Sequence, residues 1–153
     1  FIAVTWSRPI GPKDVIYAVD CGSMTQRKGS QGFVFLADQG YSDGKVADYT
    51  LNQEKASITV KYTNDQDIYM TERHADDSFA YSVPITANGV YVLILKFTEL
   101  HFKEANKRVF NIKFGDSLVV EKIDIKKNFS SVLNIYSALA CFIQHTYSFF
   151  FLN

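Results

Sequence analysis

The stretch Val90-Tyr-Val-Leu-Ile-Leu-Lys-Phe-Thr-Glu-Leu100 decides the fold class. It is the longest apolar run before residue 128, and its β-branched content predicts a central strand. The preceding run, Phe79-Ala-Tyr-Ser-Val-Pro-Ile85, alternates with the period of two that marks a half-buried strand. Asn88-Gly89 lies between the two runs and permits the positive φ of a tight turn, so the whole stretch predicts an antiparallel hairpin.

Similar short runs extend outward from this hairpin in both directions. Gly, Asn and Asp separate them, as expected for turns between strands. Only the segment 103–107 and the C-terminal tail look briefly helical. The predicted strands are 15–21, 32–37, 57–62, 67–72, 108–114 and 119–125. Seven or eight short strands at regular spacing predict an all-β, antiparallel β-sandwich.

Composition narrows the possible partners. The 153 residues include 16 Lys and Arg and 16 Asp and Glu, so no net positive field attracts a phosphate backbone, and we predict no nucleic-acid partner. Aromatic residues make up 15% of the chain, which is high for a soluble domain. The aromatic side chains are therefore the first candidates for a binding surface.

The charge stops abruptly at Lys127. Residues 14–127 form the predicted domain, whereas residues 128–153 contain no Lys, Arg, Asp or Glu and are rich in aromatic side chains. The run 131–152 is long enough to span a bilayer or associate with one, but its Asn, Gln and His side chains disfavour that environment. A buried strand or helix that closes the domain is an equal alternative, and a third is that the run is not native to the domain.

The sequence motifs of several enzyme classes are missing. No Gly-rich phosphate loop, CxxC pair, HExxH or GxSxG motif occurs, so we predict no cofactor and no enzymatic activity. Asp76 and Asp77 with Glu72 or Glu99 could form a glycosidase carboxylate pair, but acids in turns are usually solvated. His74 and His101 with Asp76 could bind a metal, but two histidines on separate strands are more often surface groups, so we predict no metal site.

Aromatic and imidazole rings lie at predicted strand ends beside hydrogen-bonding groups. Tyr41 and Tyr49 bracket a polar loop, and the segments 71–74 and 99–102 each end a strand with such rings. Flat rings flanked by acids and Arg suit a sugar, whose C–H face stacks on a ring while its hydroxyls form hydrogen bonds. Rings inside the alternating strands are predicted to fill the core instead; these are Tyr81, Phe97, Phe110 and Phe114.

A series of blocks, in order, resembles the malectin domain. The blocks cover about residues 14–125, and each is weak alone but specific in combination. They are Val15-Ile-Tyr-Ala-Val-Asp-Cys-Gly22, Ala47-Asp-Tyr49, Ile68-Tyr-Met-Thr-Glu-Arg-His74, the runs 77–85 and 89–97, Glu99, Phe102, Lys107-Arg-Val-Phe-Asn-Ile112 and Ile123-Asp-Ile125.

The resemblance implies a jelly-roll-like sandwich that binds glucose-type oligosaccharides in a loop-lined cleft, without catalysis. It implies a site in which Tyr49 matches a ligand-contacting Tyr, His74 replaces a second Tyr, and His101 and Phe102 fall on a Tyr-Phe pair. A further Asp of the family has no counterpart here. Supporting hydrogen bonds are expected from four neighbouring side chains: Asp48, Glu72, Arg73 and Glu99.

The resemblance also implies a setting. Malectin is an endoplasmic-reticulum membrane protein, so this chain is expected in that compartment or elsewhere in the secretory pathway. Related domains occur in receptor-like kinases and kinesin-like motors, and a motor context would make the location cytoplasmic. The alternative function is accordingly a protein-interaction module of a larger polypeptide, in which the two histidines have altered or abolished sugar binding.

The resemblance ends near Ile125, although a complete malectin domain continues for several more strands. We therefore expect the sandwich to lack its last strands, which would leave sheet edges exposed. The aromatic tail is the segment available to cover that gap, although its pattern does not match the missing strands.

Overall fold

Short antiparallel strands account for most of the regular structure. The computed structural model describes residues 11–51, 59–60, 63–85, 87, 89–128, 132–141 and 147–152. Within these residues the strands are β1 (Arg27–Lys28), β2 (Val34–Phe35), β3 (Lys45–Asp48), β4 (Thr71–His74), β5 (Ser78–Val83), β6 (Gly89–Thr98), β7 (Phe110–Phe114), β8 (Ser117–Ile123), β9 (Val132–Cys141) and β10 (Tyr147–Leu152). The helical structure of the described residues consists of 3-10 turns at Pro12–Asp14, Tyr49–Leu51 and Gln66–Tyr69 and the short helix α1 (Ile125–Asn128).

The largest sheet has four strands in the order β5-β10-β7-β8, all antiparallel. Three two-stranded sheets pair β1 with β2, β3 with β4, and β6 with β9, also antiparallel. The prediction of an all-β, antiparallel fold is therefore confirmed.

The core lies on the inner face of the four-stranded sheet. Its buried members are Tyr81, Phe110, Ile112, Ile123, Ile125 and Phe151. Leu95 and Phe97 of β6 pack against this cluster, so the β6–β9 pair forms the second layer of the sandwich. Of the four rings predicted to fill the core, Tyr81 and Phe110 are buried, while Phe97 and Phe114 are partly buried.

Two predicted strands take other forms. The segment 15–21 forms only an isolated parallel bridge between Val19 and Leu36, because the chain turns at once, with the Ser23 N–H donating to the Asp20 carbonyl at 3.1 Å. The segment 67–72 begins as a 3-10 turn and becomes a strand only at Thr71. Residues 103–107 form turns without a helix. The predicted strand 57–62 lies mostly outside the described residues, as does Asn88 of the predicted turn.

The uncharged tail contributes strands to both layers. β9 pairs with β6 along its full length, and β10 inserts between β5 and β7, with Phe151 opposite Phe79 on one side and Ile112 on the other. Strands therefore continue after Ile125, and the edges of β5 and β7 that face each other are both paired through the tail. No helix among the described residues is long and apolar enough to cross a membrane.

Candidate functional site

An open cleft of about 460 Å³ lies between the β3–β4 pair and the loop that joins β6 to β7. Its lining residues are Ala47, Tyr49, Glu72, His74, Ala75, Asp76, His101, Phe102, Lys107, Arg108 and Val109. The four residues predicted to contact a ligand, Tyr49, His74, His101 and Phe102, thus line a single cavity although they are far apart in sequence.

Strand β4 places alternate side chains in the cleft. Because successive side chains of a strand point to opposite faces, Glu72 and His74 share the cleft side. Gly22 fixes the position of this strand: it has a φ of +86°, and a Cβ there would lie 2.5 Å from the Glu72 carbonyl oxygen. Only glycine combines this backbone angle with such a close approach. The Cys21-Gly22 turn therefore packs directly against the backbone of Glu72 and fixes its position.

Tyr49 forms a buried part of the cleft wall. It is 5% exposed and begins the 3-10 turn after β3, and its N–H donates to the Met70 carbonyl at 2.8 Å. Burial raises the pKa of its hydroxyl, and the charge and hydrogen bond of Glu72 add to this effect. Tyr49 therefore stays a neutral phenol whose hydroxyl is bonded within the site.

Glu99 shapes the loop that carries the His101 and Phe102 rings. Its Oε1 accepts the backbone N–H of His101 at 2.8 Å and that of Phe102 at 2.9 Å. The two rings stand edge to face, with centroids 4.6 Å apart and an interplanar angle of 88°. Since Glu99 itself is buried, its contribution is to orient these rings.

Arg108 is a cleft residue that sequence reasoning missed. Its guanidinium donates to both carboxylate oxygens of Glu72, at 3.1 and 3.0 Å, and lies 3.2 Å from Glu99 Oε2. It also lies over the Phe102 ring, 5.2 Å from the centroid. Burial alone would lower the pKa of Arg108, but the hydrogen bond and charge of Glu72, with the charge of Glu99, outweigh it and raise the pKa. The only sequence signal for a role of Arg108 in the cleft was that a charged residue begins the apolar run 108–114.

Of the four predicted supporting residues only Glu72 lines the cleft; Glu99 is buried behind it, and Asp48 and Arg73 bond elsewhere. The Asp48 carboxylate accepts hydrogen bonds from the N–H and hydroxyl of Thr50, at 2.9 and 2.6 Å. Arg73 pairs with Asp38 at 2.7 Å and lies over the Tyr41 ring, 3.4 Å from its centroid. Strand alternation explains the position of Arg73, because its neighbours in β4 occupy the cleft side.

Two further polar side chains of the cleft have close neighbours. His74 Nδ1 lies 3.4 Å from Glu72 Oε1, and exposed Asp76 accepts a hydrogen bond from Lys45 Nζ at 2.9 Å. Glu72 and Glu99, considered above as glycosidase carboxylates, are both bound to the Arg108 guanidinium. In the part of the chain that the structure describes, no three His, Cys, Asp or Glu side chains are grouped to hold a metal ion. The cleft thus presents the exposed His101 ring and the half-buried Phe102 ring beside an internally paired polar network.

Solved structures share this fold at low sequence identity. The ANX1 ectodomain from Arabidopsis thaliana is matched over 90% of this chain and 42% of its own, with a TM-score of 0.72 and 18% identity. A Bacteroides uniformis beta-glucuronidase is matched over 92% of this chain and 16% of its own, with a TM-score of 0.69 and 23% identity. At these identities the likeness shows the fold alone.

Sequence comparison identifies the family. The model of the malectin domain matches residues 15–143, which includes part of the uncharged tail. Malectin of Homo sapiens is 35% identical over 116 residues, covering 74% of this chain and 38% of its own, and Malectin-A of Xenopus laevis is 39% identical over 82 residues, covering 54% and 29%. The chain spans 38% of the length of the first relative and 29% of the second. With a match over most of its length, the chain belongs to the malectin-domain family.

Proposed function

We propose that the domain is a lectin-like, non-catalytic carbohydrate-binding module whose cleft receives a glucose-type oligosaccharide. The observation that carries the proposal is the convergence of Tyr49, His74, His101 and Phe102 on one open cavity. Its volume of about 460 Å³ lies within the range of small-molecule sites in proteins.

Ring stacking and hydrogen bonding each contribute to recognition of the sugar. The Phe102 and His101 rings offer apolar faces for the C–H groups of a pyranose. Glu72, Arg108 and His74 border these rings with acceptors and donors for hydroxyl groups, and hydrogen bonds to charged groups are the stronger ones. Both contributions come from side chains that the backbone of β4 and the loop after β6 already hold in place.

The two histidines reduce the stacking area. Imidazole is smaller than the phenol found at the matching family positions, so His74 and His101 offer less apolar surface to a sugar ring. This difference supports the second candidate function, an interaction module within a larger polypeptide such as a receptor-like kinase or a kinesin-like motor.

The family also bears on the compartment. Malectin relatives and the ectodomain of a plant receptor share this fold. We place the domain in the endoplasmic reticulum or the wider secretory pathway on that basis. Appearance of a tagged full-length protein in the cytosolic fraction of a cell lysate would contradict this location.

Calorimetric titration with maltose and nigerose tests sugar binding, and a glycan array extends it to other ligands. We expect binding by the wild-type chain and its loss in Phe102→Ala. Phe150→Ala is the matched control, because this phenylalanine is 37% exposed on β10 and does not line the cleft. Absence of binding by folded wild-type protein, or equal weakening by the two substitutions, would refute the sugar-binding proposal in favour of the interaction module.

A further inference from the structure

One guanidinium joins three separate segments at the cleft. Arg108 lies just before β7, Glu72 belongs to β4, and Glu99 follows β6. Arg108 Nη1 lies 3.1 Å from Glu72 Oε2 and 3.2 Å from Glu99 Oε2, while Nη2 bonds Glu72 Oε1 at 3.0 Å. We call these three side chains the Arg108 brace.

The Arg108 brace contacts the loop that carries the His101 and Phe102 rings in two ways. The guanidinium lies over the Phe102 ring, 5.2 Å from its centroid. Through Glu99, whose other oxygen accepts the N–H groups of His101 and Phe102, it also contacts the backbone of the same loop. A displacement of Arg108 would therefore alter the positions of both the Phe102 ring and the backbone of its loop.

The planar fork of arginine is required for this arrangement. A guanidinium can bind one carboxylate with two parallel hydrogen bonds, contact a second with the same edge and present its face to an aromatic ring, whereas an ammonium is a point charge that lacks the fork and the plane. Lysine at this position would retain attraction to Glu72 and Glu99 but would not fix their angle to Phe102.

We propose that Arg108 is a positioning residue of the cleft, which fixes the Glu72 carboxylate and the Phe102 ring relative to each other before a ligand arrives. The consequence for affinity rests on the sugar-binding function proposed above. The positioning itself is a property of the free protein and is measurable without any ligand.

The brace is distinct from the hydrophobic core. The Arg108 side chain is 21% exposed, and the core cluster of the sandwich contains neither Arg108 nor its two carboxylate partners. Because Glu99 is buried, removing the cation would leave a charge unpaired there. Arg108→Lys is therefore the informative variant, since it keeps a cation beside Glu99 while removing the fork.

Lys107→Met provides the matched control. Lys107 also lines the cleft, but the partner it contacts is Glu104, at 3.7 Å. Its substitution removes a neighbouring positive charge without touching the brace. Lys107→Met thus shows the general effect of losing a cleft charge, whereas Arg108→Lys keeps its charge and shows the effect of positioning.

The first measurement uses the aromatic proton–carbon NMR spectrum of the free protein. We expect Arg108→Lys to shift the Phe102 ring signals, and Lys107→Met to leave them at their wild-type positions. The second measurement titrates maltose by calorimetry, where loss of one charged hydrogen bond predicts about tenfold weaker binding for Arg108→Lys. Phe150→Ala, which does not alter a residue of the cleft, should change the affinity within about twofold. Phe102→Ala combined with Arg108→Lys should give a non-additive loss, because both act through one ring.

A folded Arg108→Lys protein with wild-type Phe102 ring signals would overturn the positioning proposal. An additive double variant would overturn the statement that Arg108 acts through Phe102. If the wild-type protein binds no sugar, the proposed function fails, whereas the ring signals of the free protein still decide whether Arg108 positions the cleft.

Discussion

Substitution of Phe151 by Ala tests the part that the uncharged tail has in the fold. Phe151 lies in β10, is 9% exposed, and stacks on Phe79 with ring centroids 4.7 Å apart. It also contacts the rings of Phe97 and Phe110, at 6.1 and 6.3 Å. Its removal therefore opens a cavity at the junction of the two layers, and such Phe→Ala changes cost about 3–5 kcal/mol.

The neighbouring residue supplies the control. Phe150 is 37% exposed and lies on the opposite face of the same strand, so Phe150→Ala removes the same atoms with little cavity. We expect a loss below about 1 kcal/mol for this variant, typical of surface changes.

Urea unfolding followed by circular dichroism measures both variants. With a slope of about 2 kcal/mol per molar urea, Phe151→Ala should lower the midpoint by about 2 M and Phe150→Ala by less than about 0.5 M. Equal midpoints for the two variants, or a wild-type midpoint for Phe151→Ala, would refute the placement of β10 in the core.

Two further predictions concern the Asp20-Cys21-Gly22 turn. Gly22→Ala should cost about 1–3 kcal/mol in thermal unfolding, because it combines a φ of +86° with a Cβ 2.5 Å from the Glu72 carbonyl oxygen; Gly115→Ala, with a φ of +54° and no atom within 4 Å, should cost less, and equal costs would contradict the close approach. Burial raises the pKa of the Asp20 carboxyl from 3.8 to about 6, so the folded state binds more protons than the unfolded state between these values and stability falls as pH rises through them. Because Asn does not titrate, the stability of Asp20→Asn relative to wild type should rise by about 2 kcal/mol from pH 4 to pH 7 in urea unfolding. Parallel pH profiles would show that Asp20 does not titrate in this way.

Local sequence signals sufficed for the hairpin strands. The run 90–100 became β6 and the run 79–85 became β5, because apolar and alternating patterns directly express burial on one or two faces. The equally apolar run 15–21 did not form a ladder, because its turn at Gly22 is fixed by the crossing of β4. That crossing depends on residues about fifty positions away, which no local pattern reveals.

The tail shows the same limit. Its aromatic residues left a membrane span, a closing strand and an unrelated segment as open interpretations. The position of β10 between β5 and β7 depends on pairing with strands more than thirty residues away, such as Phe151 with Ile112. The register of β10 is set by these distant partner strands, so the hydrophobic pattern of the tail does not reveal it.

The rings at predicted strand ends indicated which side chains lie together in the cleft. Tyr49, His74, His101 and Phe102 meet there, as expected for side chains at neighbouring strand ends. Because side chains alternate between the two faces of a strand, Arg73 of β4 is expected on the face opposite to Glu72 and His74. Arg108 could not be found by such reasoning, because its bonded carboxylate, Glu72, is 36 residues away in sequence.

A maltose titration followed by proton–nitrogen NMR tests most directly the proposal that the cleft binds sugar. We predict that the amide signals of His74, His101 and Phe102 shift saturably with added maltose, while those of residues 117–120 of β8, which do not line the cleft, stay in place. Unchanged spectra at high maltose, or shifts centred on β8 and the outer face of the four-stranded sheet, would contradict it.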